Sequence, residues 1–213
     1  MSVSAEQVKK LREMSGAPMM ECKRALDEAQ GEMEQAFTIL RKRGQATAAK
    51  KAARVATEGL VGWYIHAGGK IGVIVEVNCE TDFVARNEEF QELTHNLAMQ
   101  ICAADSRFIR KEDVTPEVLE REKEVLRAQA VASGKPAAVI DRIVEGKLEK
   151  FYEDNCLYEQ HFIKDTTGST TIRDLINTKI AKFGENITVR RFARFKVGEG
   201  LSKTDSAATT PAS

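Results

Sequence analysis

The sequence predicts an α+β fold: an N-terminal bundle of three short helices, then a three-stranded antiparallel sheet flanked by helices that include an antiparallel helical pair. Three observations carry that expectation. Apolar residues recur at three- and four-residue spacings through positions 1–44, with Gly and Pro between the runs. Two β-branched and aromatic runs, 60–67 and 70–79, flank Gly68-Gly69, a two-residue hairpin signal. A third such run, 187–197, stands far downstream, and helical periodicity fills the interval.

Composition bounds the function classes. A chain of 213 residues with 42% hydrophobic and 30% charged residues has the makeup of a soluble globular protein with a real core. Lys and Arg number 32 and so do Asp and Glu, so no anionic partner is implied by net charge. No apolar run is long enough to span a bilayer, and the first 16 residues lack the apolar core of a signal peptide. Cys22, Cys79, Cys102 and Cys156 stand alone, without a CxxC pair, which fits buried thiols in a reducing compartment and a cytoplasmic location.

Each element has its own local reason. Ser4 with Gln7 forms a capping box, and Val8 and Leu11 give the first helix its apolar side. The loop 14–18 ends it, and Pro18 suits the first position of a second helix carrying Met19, Met20, Cys22, Leu26 and Ala29. Gly31 closes that helix, and Met33, Ala36, Phe37 and Leu40 define a third, ending at Gly44. Residues 1–44 therefore read as a small docking module, too small to enclose a substrate. Residues 45–57 read as a basic helical linker: the run 41–57 contains Arg41, Lys42, Arg43, Lys50, Lys51 and Arg54 and no acid. It is either a solvated connector or a contact surface for an acidic partner or RNA.

The core domain spans 58–198. In its second strand Ile71, Val73, Val75 and Val77 share one face, while Ile74 adds apolar surface to the other. A helix follows with Phe90, Leu93, Leu97 and Ile101 on one side. Thr115-Pro116 caps the first member of the helical pair, Ser133–Pro136 turns it, and Ile140, Ile143, Val144, Leu148 and Phe151 line the second. Ile172, Ile176, Ile180 and Phe183 mark a last helix before Gly184. Strict alternation in the final strand puts Ile187, Val189, Ala193, Phe195 and Val197 on one face and Arg190, Phe192, Arg194 and Lys196 on the other. A three-stranded sheet with apolar residues on both faces needs cover on both, and a second copy of the chain is expected on the outer one. The Ser/Thr/Ala-rich tail 199–213 is expected to be disordered.

Catalytic signatures are missing from the chain. It has no GxxxxGK[ST], strand-linked GxGxxG, HExxH or GxSxG, and His66, His95 and His161 share no ligand spacing, so neither an enzyme nor a metal site is indicated. What stands out is the stretch NCETDFVARN at 78–87, where a strand becomes a helix. Thr81 is a natural cap and Asp82 complements the positive helix end. Phe83 is either core, seven residues before Phe90, or a wedge that projects into a partner.

These residues, together with LREMSGAPMMECKRAL, KKAARVATEG and FGENITVRRFARF, resemble the bacterial elongation factor Ts family over roughly 3–198. The resemblance implies a ubiquitin-associated-like fold for the three-helix module. It implies a guanine nucleotide exchange factor for elongation factor Tu·GDP, acting in the elongation phase of translation, with no cofactor and no nucleotide site of its own. By match to the family motif, Thr81, Asp82, Phe83 and Val84 would dislodge the partner's magnesium, and Met19 and Met20 would grip its GTPase domain. Arg86 and Asn87 also match the motif, as partner contacts or as orienters of the helix start. The chain resembles the short form of the family, with one core subdomain, which implies a homodimer. An alternative is an RNA-binding, translation-associated protein using the basic residues of 41–54 and 190–196.

Overall fold

A computed structural model describes residues 3–134 and 136–201. The N-terminal region forms α1 (Ala5–Ser15), α2 (Met19–Glu28) and α3 (Met33–Lys51). Ser4 and Gln7 make the capping box, with the Ser4 N–H donating to the Gln7 side-chain oxygen at 2.9 Å. Pro18 stands one residue earlier than the sequence implies: its extended ψ of 142° makes it the cap of α2, not its first residue. Leu11, Cys22, Ala25, Leu26 and Ala36 close a separate small core.

The third helix does not stop at Gly44. It runs on to Lys51, and residues 52–57 then leave the helix. A Cβ at Gly44 would sit 3.7 Å from the carbonyl oxygen of Asn177, within α8 (Ile172–Phe183), so the two helices pack closely here. That packing outweighs the cost of about 1 kcal/mol for a mid-helix glycine. One rigid element thus joins the N-terminal bundle to the core domain.

The sheet is antiparallel throughout, in the order β1 (Glu58–Ile65), β2 (Ile71–Cys79), β3 (Thr188–Lys196). Its hairpin connection is longer than the two-residue turn expected. Strand pairing closes at Ile65 and Gly72, after which the Gly69 N–H donates to the His66 carbonyl with Gly68 and Gly69 at φ 90° and 67°. On the inner face Val73, Val75 and Val77 meet Phe90, Leu93, Leu97 and Ile101 of α5 (Glu88–Ala104) and Ile172, Ile176 and Ile180 of α8. Gly62 lets α5 approach β1, since a Cβ there would lie 2.4 Å from the Thr94 methyl. The helical pair α6 (Pro116–Ala132) and α7 (Ala137–Asn155) buries Leu126, Ala130, Val144 and Phe151, with Thr115 capping α6 as expected. Lys135, between them in sequence, lies outside the described residues, as does the tail from residue 202 on.

All four cysteines are buried free thiols, and burial pushes those of Cys79 and Cys156 up to about 11. Among the described residues no helix is long and apolar enough to cross a membrane.

The faces of β3 differ from strict alternation. Glu76 pairs with Arg191 but Val77 pairs with Val189, so Arg190 is an extra residue, a β-bulge. Past the bulge the phase inverts. Phe192 and Arg194 turn inward opposite Val75 and Val73, while Ala193 and Phe195 turn outward opposite Ile74 and Gly72. Ala193, Phe195 and Val197 therefore do not share the face of Ile187 and Val189, because one inserted residue exchanges every later side chain across the sheet. Arg194 is accommodated inside because Asp105 lies 3.0 Å and Glu199 3.7 Å from its guanidinium. The outer face gains from the inversion: Val61, Trp63, Ile65, Ile74, Phe195 and Val197 all stand exposed on or beside it.

Candidate functional site

A single helical turn, α4 (Asp82–Ala85), follows β2 directly. Four residues cannot hold a helix by their own hydrogen bonds, because nucleation is unfavourable. Anchors on both sides hold this one. Val84 and Ala85 point into the main core, and the Thr81 hydroxyl accepts from the Val84 N–H at 3.5 Å. Thr81 is also held from behind. Its hydroxyl donates to Glu185 Oε1 at 2.6 Å, and the N–H groups of Glu80 and Thr81 donate to Glu185 Oε2 at 3.1 and 3.0 Å.

The turn thus divides its residues. Thr81 and Val84 fix it, and Asp82 and Phe83 face solvent. Phe83 is 81% exposed, whereas Phe90 is fully buried, so Phe83 is not part of the core. Asp82 makes a surface ion pair with Arg86 at 2.9 Å, which contributes about 0.3–0.5 kcal/mol at most. Asn87 has a local role: its side-chain oxygen caps α5 by accepting from the Glu89 N–H at 2.9 Å. Glu89 then joins α5 to α8 through Lys179 at 2.8 Å and Lys182 at 2.5 Å, and these two ammonium groups hold its carboxyl down at about 2.

Met19 and Met20 open α2 and are 52% and 60% exposed, so neither serves the bundle core. Two thioether side chains side by side at a helix start form an adaptable apolar contact. The expected site residues accordingly fall into two outward patches on different units, joined through α3 and α8. Phe83 and the two methionines are the exposed apolar members, and the remaining residues of the 81–87 stretch mostly shape the backbone.

The basic run is largely engaged within the chain. Arg41 lies 3.8 Å from Asp174, Arg43 lies 2.5 Å from Glu28, Arg54 lies 3.5 Å from Glu80, and Lys51 donates to the Gly184 carbonyl at 2.5 Å. Arg190 and Arg191 both clamp Glu76, at 2.9 and 2.7 Å, and hold its carboxyl down at about 2. Among the described residues no cluster of three His, Cys, Asp or Glu side chains could hold a metal ion.

Sequence reasoning gave no role to Glu80, Glu185 or Asn186, the residues that grip the base of the turn. Their one sequence signal is the Gly-Glu-Asn that follows the last helix, and it identifies no contact until the topology places it beside residue 80.

The family model described as elongation factor TS matches residues 4–199. The elongation factor Ts of Koribacter versatilis is 65% identical over 93% of this chain and 90% of its own length. That of Caldanaerobacter subterraneus subsp. tengcongensis is 62% identical over 94% of this chain and all of its own. That of Moorella thermoacetica is 59% identical, covering 95% and 99%.

Proposed function

The chain belongs to the elongation factor Ts family of translation elongation factors, and from that membership we propose that it binds elongation factor Tu·GDP and speeds release of the nucleotide. The observation that carries the reading is Phe83, a large apolar side chain held out in solvent at 81% exposure on a turn fixed from both sides. Such a side chain is poised to be buried by something else.

On this reading Phe83 inserts into the partner's GTPase domain, and Asp82 acts beside its magnesium site. Met19 and Met20 grip a second patch of the same domain. Magnesium bridges phosphates to the partner, so disturbing its coordination removes much of the nucleotide's affinity. The reaction is thermodynamic linkage: a factor that binds the partner better without nucleotide weakens nucleotide binding by the same ratio. Burying one Phe supplies about 1.5–3 kcal/mol, or roughly 10- to 150-fold. A larger effect needs the methionine patch and other contacts as well. The chain itself binds no nucleotide and forms no covalent intermediate, and it works in the cytoplasm.

We further propose a homodimer through the outer sheet face. Trp63 and Phe195 are 66% and 69% exposed there, with Val61, Ile65 and Ile74 beside them. A two-fold pairing buries each of these side chains twice, at about 1.5–3 kcal/mol for a full burial, against an association cost of about 4–15 kcal/mol. The internal pairing of the basic residues weighs against an RNA-binding role for 41–54 and 190–196. The exchange reading is tested by following labelled GDP leaving elongation factor Tu with and without this chain. Saturable acceleration is expected, and unchanged release would overturn it.

A further inference from the structure

Two loops far apart in sequence exchange hydrogen bonds at the base of α4. Glu185 takes both backbone N–H groups and the hydroxyl of the Glu80-Thr81 pair, as described above. The Glu80 carboxylate returns the contact by accepting from the Asn186 N–H at 2.6 Å, which with the Arg54 guanidinium holds its carboxyl below the usual range. The Asn186 carboxamide donates to the Arg54 carbonyl at 2.8 Å, just past the end of α3. Lys51, the last residue of α3, donates to the Gly184 carbonyl at 2.5 Å. The loop 184–186 therefore meets the Phe83 turn on one side and the end of α3 on the other. The exposed methionines stand on the bundle at the start of α2, where Glu21 lies 3.3 Å from Arg43 of the same α3.

We infer that Glu185 is a positioning residue that fixes Phe83 relative to the methionine-bearing module, so that both contact points meet one partner in register. This rests on the exchange reading above. A one-turn helix with Val84 as its inward anchor keeps its place in the core without Glu185, but its N-terminal side loses three acceptor contacts and is free to rotate. Without Glu185 the exposed patches are unchanged, so initial binding through Met19 and Met20 persists. The bound complex then less often reaches the geometry in which Phe83 inserts. The rate of release at saturation falls while the half-saturating concentration moves little. A merely structural role gives another pattern: fewer folded molecules, each fully active.

The test uses the full chain as wild type, Glu185→Ala and Glu185→Gln, with elongation factor Tu loaded with labelled GDP. Leaving half-buried donors unpaired predicts a drop of about 10-fold or more in the saturating release rate for Glu185→Ala, with half-saturation within about 3-fold. Gln keeps one acceptor oxygen for the backbone N–H pair, and is expected to recover the rate to within about 3-fold. Amide hydrogen exchange gives a readout independent of activity: the Glu80 and Thr81 amides are protected in wild type and lose protection in Glu185→Ala. Full saturating rate in Glu185→Ala, or unchanged amide protection, would overturn the inference. So would equal losses in Ala and Gln, or a loss matched by the unfolded fraction. Protected amides in a wild type that does not accelerate GDP release would overturn the exchange reading instead.

Discussion

Replacing Phe83 by alanine separates a partner contact from a packing residue. With 81% of its surface in water the ring gains little from the fold, so truncation is expected to change stability by no more than about 0.5 kcal/mol. Alanine also has the higher helix propensity, which offsets part of any loss within α4. The exchange reaction is expected to suffer far more. If the ring is buried only in the complex, its loss removes about 1.5–3 kcal/mol of coupling, a 10- to 150-fold slower release at limiting concentration. Thermal unfolding and stopped-flow release of fluorescent GDP, measured on the same preparation, read the two quantities separately. A core phenylalanine behaves oppositely, with a stability loss of about 3–5 kcal/mol. Normal exchange by Phe83→Ala would refute the wedge, whatever the melting curve shows. Asp82→Ala is the companion: its helix-end and Arg86 interactions account for only about 0.3–1 kcal/mol of stability, so any exchange defect beyond that reports on the partner's magnesium site.

Four further outcomes follow from packing and charge. Trp63→Asp, on edge strand β1 opposite Ile74 on the outer sheet face, is expected to convert a dimer to a monomer in sedimentation or light scattering at micromolar concentration, and a wild-type monomer there would remove the basis for the dimer. Gly44→Ala fits against Asn177 at an ordinary contact distance of 3.7 Å and is expected to raise stability by about 0.5–1 kcal/mol, whereas Gly62→Ala meets the Thr94 methyl at 2.4 Å and is expected to lose about 1–3 kcal/mol in denaturant titration. The Glu89 carboxyl, held at about 2 against an ordinary 4.5, contributes stability that is fully present above pH 4.5 and is lost as pH falls through 2. Its side chain is 40% exposed, so Glu89→Gln is expected to cost about 1 kcal/mol at neutral pH, with the difference from wild type closing near pH 2 in acid titration.

Local signals placed most elements. The Ser4 and Thr115 caps, the Gly184 stop and the apolar spacing of α5 and α8 all depend on residues within a few positions of one another, and these appear where the sequence puts them. Errors arose where a distant partner decided the matter. Gly44 carries the mark of a helix end, but α8 holds α3 together across it. The Arg190 bulge has no local signature, because its register is set by β2 and by Glu76, which accepts from two consecutive arginines. That single residue moved Phe195 from an expected partner of Val189 to the outer face. At the candidate site the cap at Thr81 was legible, and both readings of Phe83 were open on spacing alone. Its exposure rules out the core reading, and the wedge is the proposal made above. The Glu185 contacts span more than a hundred positions and became visible only with the sheet in place.

The central claim is a coupling free energy between this chain and the nucleotide, and a binding cycle measures it most directly. Calorimetric titration of the chain into elongation factor Tu, first free of nucleotide and then saturated with GDP and magnesium, gives two dissociation constants. Their ratio is predicted to favour the nucleotide-free partner and to equal the factor by which the chain lowers the partner's affinity for GDP. In Phe83→Ala the ratio is predicted to shrink by about 10-fold or more. Equal affinity for the two forms would contradict the account, because a factor indifferent to nucleotide displaces none.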